Sequence, residues 1–168
     1  LYGYGRINAL TAYNYVAVLS GVSRKTHGGA GTFDVPLTFS GEPAVECRDT
    51  GGNHTFVFTF NNSLASGNAT VTSGVGTVSG SPVISGSTMT VNLTGVADIQ
   101  RLTLTLQNVT DTSSQVLPNT AVSVNFLAGD TNANKSVNAA DVAQTKVQLG
   151  QVVTSSNFRT DVNANGSI

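Results

Sequence analysis

Oxygen-bearing side chains recur at regular intervals near the carboxyl end of this sequence. They fill positions 1, 3, 5, 7, 9 and 12 of one twelve-residue stretch, namely Asp130, Asn132, Asn134, Ser136, Asn138 and Asp141. A chain with this spacing can wrap its side-chain and main-chain oxygens around one hard cation, and Ca2+ takes six to eight such ligands. The spacing therefore predicts a calcium loop at residues 130–141.

The positions of this loop differ in the ligand that each is expected to supply. Positions 1, 3 and 5 supply side-chain oxygens, Ser136 a main-chain carbonyl, Asn138 a direct or water-mediated contact, and Asp141 a bidentate carboxylate. Lys135 holds position 6, where glycine is favoured, and must therefore adopt a positive φ. Because only two carboxylates neutralise the ion, we expect a dissociation constant on the order of 10⁻⁴ to 10⁻⁵ M, which suits a calcium-rich environment.

A second, partial copy of the loop begins at residue 161. Its oxygen-bearing positions 1, 3, 5 and 7 are Asp161, Asn163, Asn165 and Ser167. Position 8 is apolar in both copies, Val137 in the first and Ile168 in the second, and we expect these side chains to pin each loop to a core. The second copy stops at its eighth position, so we expect the natural chain to continue beyond this sequence.

The residues between the two loops predict a short helix. Asn138, followed three residues later by Asp141, provides an N-cap with an acidic partner, and Gly150 provides the stop. The side chains at helical spacing that we expect to face inward are Val142, Leu149 and either Thr145 or the stem of Lys146. Residues 129–168 are thus expected to form a short calcium-loop–helix segment.

The body of the chain, residues 21–128, predicts an antiparallel β-sandwich. About eight or nine short runs alternate between apolar and polar residues, and turns rich in Gly, Ser and Asn separate them. The fold class is therefore mainly β. The side chains expected to lie between the two sheets are Phe56, Phe58, Phe60, Val91, Leu93, Leu102, Leu104 and Leu106.

Residues 1–20 form a third region, for which the pattern leaves two structures open. One helical face could hold Ile7, Leu10, Ala12 and Tyr15. The run from Tyr13 to Leu19 suits an apolar strand instead. The region is therefore either a short helix followed by a strand or one long strand, and either the tail of an upstream domain or a strand that pairs elsewhere.

Composition excludes several classes of function. Only 10% of the 168 residues are charged and the net charge is −1, which argues against binding to nucleic acid or to an anionic membrane surface. The sequence contains no run of about 18 apolar residues that could span a membrane. Its richness in Gly, Ser, Thr, Asn and Val is typical of secreted all-β proteins, so we expect an extracellular or cell-surface location.

Three reactive side chains, one Cys and two His, receive structural interpretations. Cys47 is the single cysteine, so it cannot form an internal disulfide, and we expect it to be a small core side chain. His27 and His54 lie in loop-like contexts and are expected at the surface. The sequence contains no phosphate-binding glycine loop and no nucleophile elbow.

Residues 129–168 resemble the dockerin family, whose duplicated calcium-loop-plus-helix repeats bind cohesin β-sandwiches in secreted bacterial assemblies. The shared trait is a loop with an exiting helix and no entering helix. The resemblance implies a cohesin-like protein partner and Ca2+ ligands at the ten positions named above, Asp130, Asn132, Asn134, Ser136, Asn138, Asp141, Asp161, Asn163, Asn165 and Ser167. The preceding sandwich resembles a cohesin- or adhesin-like module of a large exoprotein.

The segment departs from the dockerin pattern in three ways. Asn replaces Asp at several ligand positions. Ala139 and Ala140 stand where a polar pair often selects the partner. The second copy also lacks its helix, which ordinary two-helix docking onto a cohesin uses.

A second resemblance lies at the amino terminus. The words GYGRINALTA, within Tyr2 to Ala12, are similar to the segment that opens the last helix of subtilisin-like serine peptidase domains. This resemblance implies a peptidase upstream of residue 1, and its catalytic Asp, His and Ser would lie there.

These observations favour a non-catalytic extracellular calcium-binding module for attachment or assembly. We expect it to be the carboxyl-terminal part of a secreted multidomain protein such as a subtilisin-like peptidase. The alternative is a structural subunit of an extracellular filament or surface layer, a homo-oligomer in which strand addition joins neighbouring subunits. Carbohydrate binding is disfavoured because Trp is absent and all four Tyr lie in the first fifteen residues.

Overall fold

The computed structural model describes residues 15–49 and 51–168. The described chain is mainly β, and its strands form two sheets. The six-stranded sheet contains β1 (Val18–His27), β2 (Gly31–Pro36), β4 (His54–Phe60), β6 (Thr77–Val78), β7 (Val83–Ser85) and β8 (Thr88–Thr94). The four-stranded sheet contains β3 (Ala44–Glu46), β5 (Leu64–Ser73), β9 (Gln100–Asp111) and β10 (Thr120–Phe126).

Both sheets are antiparallel except at one pairing. The order in the six-stranded sheet is β2-β1-β4-β8-β6, and β7 also pairs with β8. The order in the four-stranded sheet is β3-β10-β9-β5, where β3 runs parallel to β10. The predicted sandwich is therefore confirmed as two packed sheets, with ten strands in the described residues where the sequence predicts about eight or nine.

Alternating side chains of both sheets fill the core between them. Along β4, every second residue from His54 to Phe60 is buried, as the period of a strand with one covered face requires. All eight predicted core residues are at most 2% exposed, and Cys47 is fully buried, so these predictions are confirmed. Pro36 ends β2, the edge strand of its sheet, where its missing N–H breaks no ladder hydrogen bond.

Strand β1 crosses the boundary that the sequence patterns place between residues 20 and 21. It runs unbroken through Gly21, where a Cβ would lie 2.9 Å from a ring carbon of Phe58. Its buried positions beyond this glycine carry the polar side chains of Ser23, Lys25 and His27. Because hydrophobic alternation is absent in residues 21–27, the sequence predicts a turn region there, whereas the backbone forms part of a central strand.

The described end of the amino-terminal region packs on its own sandwich. Asn61 donates from Nδ2 to the Tyr15 carbonyl at 2.8 Å and accepts from the Ala17 N–H at 2.8 Å, and Val16 is buried in the core. A strand begins at Val18. Residues 1–14, which carry the resemblance to a peptidase domain, lie outside the described residues.

The carboxyl-terminal segment contains one helix, α1 (Ala139–Gln148), and a 3₁₀ turn (Phe158–Thr160). The predicted N-cap is confirmed, since the Asn138 side chain accepts from the Ala140 N–H and Asp141 accepts from the Asn138 N–H. Gly150 follows the helix with a φ of 74°. Among the described residues, no helix has the length and apolar character needed to cross a membrane.

The predicted inward face of α1 is wrong. Val142 is 51% exposed and Leu149 is 61% exposed, and of the α1 residues, all of them described, only Asp141 is buried. Val137, which was expected to pin the first loop to a core, is 49% exposed. The segment contacts the sandwich through its loops and the 3₁₀ turn, so the apolar stripe of the helix stays uncovered.

Replacing Phe58 with alanine tests the core. Phe58 is fully buried against both sheets, so Phe58→Ala should lower the free energy of unfolding by about 3–5 kcal/mol. Val83 lies exposed on β7, and Val83→Ala should change it by less than about 0.5 kcal/mol. Urea denaturation followed by circular dichroism measures both. Equal effects of the two substitutions would contradict the assigned core.

Candidate metal centre

The first loop, residues 130–141, wraps around the buried carboxylate of Asp130. Its Oδ1 accepts the N–H of Asn134 at 3.0 Å, and its Oδ2 accepts the N–H of Lys135 at 2.7 Å. Asn132 accepts from the Asn134 N–H at 3.0 Å, and Asn134 accepts from the Ser136 N–H at 2.9 Å. The side-chain oxygens of positions 1, 3 and 5 are therefore all turned toward the inside of one tight bend.

Two left-handed residues make this bend possible. Ala133 at position 4 has a φ of 61°, and Lys135 at position 6 has a φ of 70°. The predicted positive φ of Lys135 is confirmed. Its ammonium group forms a surface ion pair with the Glu42 carboxylate in the loop between β2 and β3.

Asp141 closes the first loop and is also buried. Its Oδ1 accepts the N–H of Asn132 at 3.2 Å, and its Oδ2 accepts the N–H of Asn138 at 3.0 Å. Burial alone would raise the pKa of this carboxyl, but the N–H groups of Asn138 and Asn132 outweigh burial and hold the pKa below its ordinary value. Asp141 is therefore a carboxylate at neutral pH, available to a cation.

The second loop, residues 161–168, repeats the geometry of the first. Asp161 accepts the N–H of Asn165 on Oδ1 at 3.1 Å and the N–H of Gly166 on Oδ2 at 2.8 Å. Asn163 accepts from the Asn165 N–H at 3.2 Å, and Asn165 accepts from the Ser167 N–H at 2.8 Å.

The backbone of the second loop also turns at the same positions as the first. Its positions 4 and 6, Ala164 and Gly166, have φ values of 52° and 91°. Each hydrogen bond of the second loop joins the same loop positions as its counterpart in the first. The sequence repeat thus corresponds to a repeat of backbone conformation.

The donor set of the loops consists of hard oxygens. Within the described residues, no three His, Cys, Asp or Glu side chains gather as a metal cluster. Beside their carboxylates, the loops carry amide, hydroxyl and main-chain oxygens. Oxygen donors of this kind suit Ca2+ or Mg2+ and not Zn2+. The Asn138 oxygen caps α1 by accepting the Ala140 N–H at 2.8 Å.

A buried polar junction joins the second loop to the sandwich. It consists of Ser23 and His27 from β1, Glu46 from β3, Arg48, and Asp161. Arg48 donates to Glu46 from Nε and Nη2, both at 2.8 Å, and both side chains are fully buried. Burial alone would raise the pKa of the Glu46 carboxyl, but Arg48 and Ser23 outweigh burial and keep the pKa below its ordinary value.

His27 links this ion pair to the second loop. Its Nδ1 lies 2.8 Å from Oδ2 of Asp161, and its Nε2 lies 3.3 Å from Nη1 of Arg48. Burial lowers the pKa of His27, although the hydrogen bond to Asp161 opposes this shift. A neutral ring that donates from Nδ1 to Asp161 and accepts at Nε2 from Arg48 satisfies all three groups.

Aromatic rings close the junction on its outer side. Phe158 of the 3₁₀ turn stacks on Phe33 of β2, with ring centroids 5.5 Å apart, and the Arg48 guanidinium lies 5.1 Å from the Phe158 centroid. His27 and His54 are both buried, so the prediction of surface histidines is wrong. The sequence contains no motif that predicts this junction. The one indication is that polar side chains occupy the alternate positions 23, 25 and 27 of β1, which share one face of the strand.

Comparison with protein-family models, with curated proteins and with solved structures found no match to this chain.

The burial of His54 predicts a pH-dependent stability. Burial, reinforced by the charge of Lys25, lowers the pKa of His54 to about 4. As pH falls from about 6.5, the unfolded chain protonates this histidine first, so stability is lost down to about pH 4. At roughly 1.4 kcal/mol per pKa unit, the loss is about 3 kcal/mol.

The His54→Gln variant isolates this contribution. Unfolding free energies at pH 7 and pH 4, measured by urea denaturation, should differ by about 3 kcal/mol less in the variant than in the parent protein. Other titrating groups are the same in both proteins and cancel in this comparison. Parallel pH profiles for the two proteins would contradict the burial of a neutral His54.

Proposed function

We propose that this chain is a non-catalytic extracellular module that binds Ca2+ in two loops and serves attachment or assembly. The observation that carries the proposal is the repeated wrap of main chain around two buried aspartates, Asp130 and Asp161. In each loop, the side-chain oxygens of positions 1, 3 and 5 accept N–H groups of the same bend. Peptidase activity, if the longer protein has it, would reside upstream of residue 1.

The residues of the first loop fit a calcium ion by chemistry and by charge. Asp130 and Asp141 together supply two negative charges, which balance one divalent cation. Asn132, Asn134 and the Ser136 carbonyl add neutral oxygens, and Asn138 adds a direct or water-mediated contact. When bound, the ion would hold the loop at the amino-terminal end of α1 and so fix the direction of the helix.

The second loop offers a smaller set. Asp161 supplies its carboxylate, Asn163 and Asn165 their amide oxygens, and Ser167 its main-chain carbonyl. With one carboxylate in the loop, this site should bind more weakly than the first. Both affinities suit the millimolar calcium of an extracellular environment, which supports the proposed location outside the cell.

Exposed apolar side chains on one face of α1 support the attachment role. Val142 and Leu149, seven positions apart, lie on the same side of the helix and are both more than half exposed. A shallow apolar depression of about 250 Å³ lies between α1 and the loops, lined in part by Val137, Val142 and Val162. Contiguous exposed apolar surfaces commonly mark sites of protein–protein contact. By resemblance to dockerins, the partner would be a cohesin-like β-sandwich.

Assembly by strand addition is the second candidate function, and β5 favours it. This strand is the edge of the four-stranded sheet and its ten residues include neither charge nor proline, the usual protection of an edge. Three irregularities in its pairing with β9 give partial protection. The sequence-based donor candidate runs from Tyr13 to Leu19, but Tyr15 and Ala17 bond to Asn61 of their own sandwich, so an amino-terminal donor for a neighbouring subunit would have to come from residues 1–14.

Calcium titration tests the proposed function. The parent chain should bind Ca2+ with dissociation constants on the order of 10⁻⁴ to 10⁻⁵ M in isothermal titration calorimetry. Asp130→Asn should weaken one site by at least about 10-fold, because it removes the central charge of the first loop. Asp34→Asn is the matched control, since Asp34 pairs with Arg24 on the sandwich, and it should leave binding unchanged. Absence of binding in millimolar calcium would refute the proposal.

Deleting residues 1–14 separates attachment from filament assembly. If strand addition operates, the parent chain forms oligomers in millimolar calcium, and the deletion variant is a folded monomer. Light scattering coupled to size-exclusion chromatography measures both masses. A monomeric parent at high concentration would refute the filament alternative and leave the attachment module.

A further inference from the structure

We infer that the second calcium site is built jointly by the loop and the sandwich, with His27 and the β1–β2 turn as positioning elements for the ligand Asp161. The β1–β2 turn comprises residues 28–30. The inference rests on the proposed calcium function and adds to it which part of the sandwich controls the second site.

The main chain of the second loop contacts the main chain of the β1–β2 turn. The Gly28 N–H donates to the Ala164 carbonyl at 3.1 Å. A Cβ on Gly28 would lie 2.1 Å from the Asn165 carbonyl oxygen, and a Cβ on Gly166 would lie 2.9 Å from the His27 carbonyl oxygen. Positions 4, 5 and 6 of the loop therefore rest on the turn at distances that only glycine allows.

The Asp161 side chain is held in one orientation by contacts from both the loop and the sandwich. Two loop N–H groups hold the carboxylate from one side, and His27 holds it from the sandwich at 2.8 Å. His27 cannot move freely, because Arg48 contacts its other nitrogen and the Phe33 ring lies edge-on at 5.2 Å between centroids. Partners that orient a metal ligand in this way typically contribute 10- to 100-fold to metal affinity.

The first loop differs from the second in the groups that hold its carboxylates. The Asp130 carboxylate is held by N–H groups of its own loop, and Asp141 joins the two ends of that loop. The first loop touches the sandwich through the Gly129 N–H, which donates to the Cys47 carbonyl at 3.0 Å, and through Lys135 and Glu42. Arg159 of the 3₁₀ turn also donates to the Asp130 carbonyl at 3.2 Å and to the Val45 carbonyl at 3.1 Å. None of these contacts involves a carboxylate of the first loop or the β1–β2 turn, so damage to that turn should spare the first site.

Calcium binding at the second site and docking of the second loop on the sandwich should each favour the other. An ion that binds the docked second loop more tightly than the undocked one stabilises the docked state by the same free energy. Because Asp161 contacts the buried His27 and, through it, Arg48, calcium at the second site should stabilise this end of the sandwich.

Two neighbouring glycines provide a matched pair of variants. Gly28→Ala places a methyl group against the Asn165 carbonyl, whereas a Cβ on Gly29 meets no atom within 4 Å. Both substitutions are made in an Asp130→Ala/Asp141→Ala background, which removes both carboxylates of the first loop so that calcium titration calorimetry measures the second site. Gly28→Ala should weaken the second site by about 10-fold or more, and Gly29→Ala should leave it within about 2-fold.

Substitutions of His27 test the positioning role without altering the turn. His27→Ala should weaken the second site by about 10- to 100-fold, and His27→Gln, which keeps a side-chain donor, should recover part of the loss. The first site, measured in the Asp161→Asn background, should keep its affinity in both variants. Melting curves at saturating calcium verify that each variant is folded.

The outcomes separate this inference from the proposed function. A parent chain that binds no calcium overturns both. A second site that Gly28→Ala and His27→Ala leave unchanged, or two sites that they weaken equally, overturns the inference alone. A selective loss at the second site, absent in Gly29→Ala, supports it.

Discussion

A buried carboxylate must be surrounded by donors or by a cation, because an unpaired charge out of water costs several kcal/mol. Asp130 and Asp161 meet this need with the N–H groups of the fifth and sixth loop residues. That arrangement forces a left-handed conformation at positions 4 and 6 and turns the chain back on itself. The oxygens of positions 3 and 5 are carried into the same bend, so an oxygen-lined loop follows from one buried charge.

The same constraint shapes the sandwich where the second loop rests. A sheet interior is ordinarily apolar, but here β1 and β3 contribute His27 and Glu46, and each has a charged or polar partner. Removing one partner from such a network leaves an uncompensated buried group, which typically costs 3–5 kcal/mol. These buried contacts therefore fix the position of the second loop on the sandwich, and the loop in turn satisfies a buried polar group of the sandwich.

The sequence predicts the features that depend on local pattern. Alternation identifies Phe56 and its core neighbours, the spacing of Asp and Asn marks the two stretches that share one backbone conformation, and position 6 predicts the left-handed Lys135. It misplaces features that depend on long-range contact. His27 looks like a loop residue because its partner Asp161 is 134 positions away. Helical spacing alone predicts that Val142 faces inward, whereas its side chain is 51% exposed.

The central claim is that the two loops hold Ca2+, and a crystal structure grown in millimolar calcium tests it most directly. We expect an anomalous peak from Ca2+ in the first loop, within about 2.3–2.6 Å of oxygens from at least four of its six named residues. We also expect a second peak beside Asp161, in a loop still docked on His27. Well-ordered loops in the conformation described here, with water or no density at both positions, would contradict the claim.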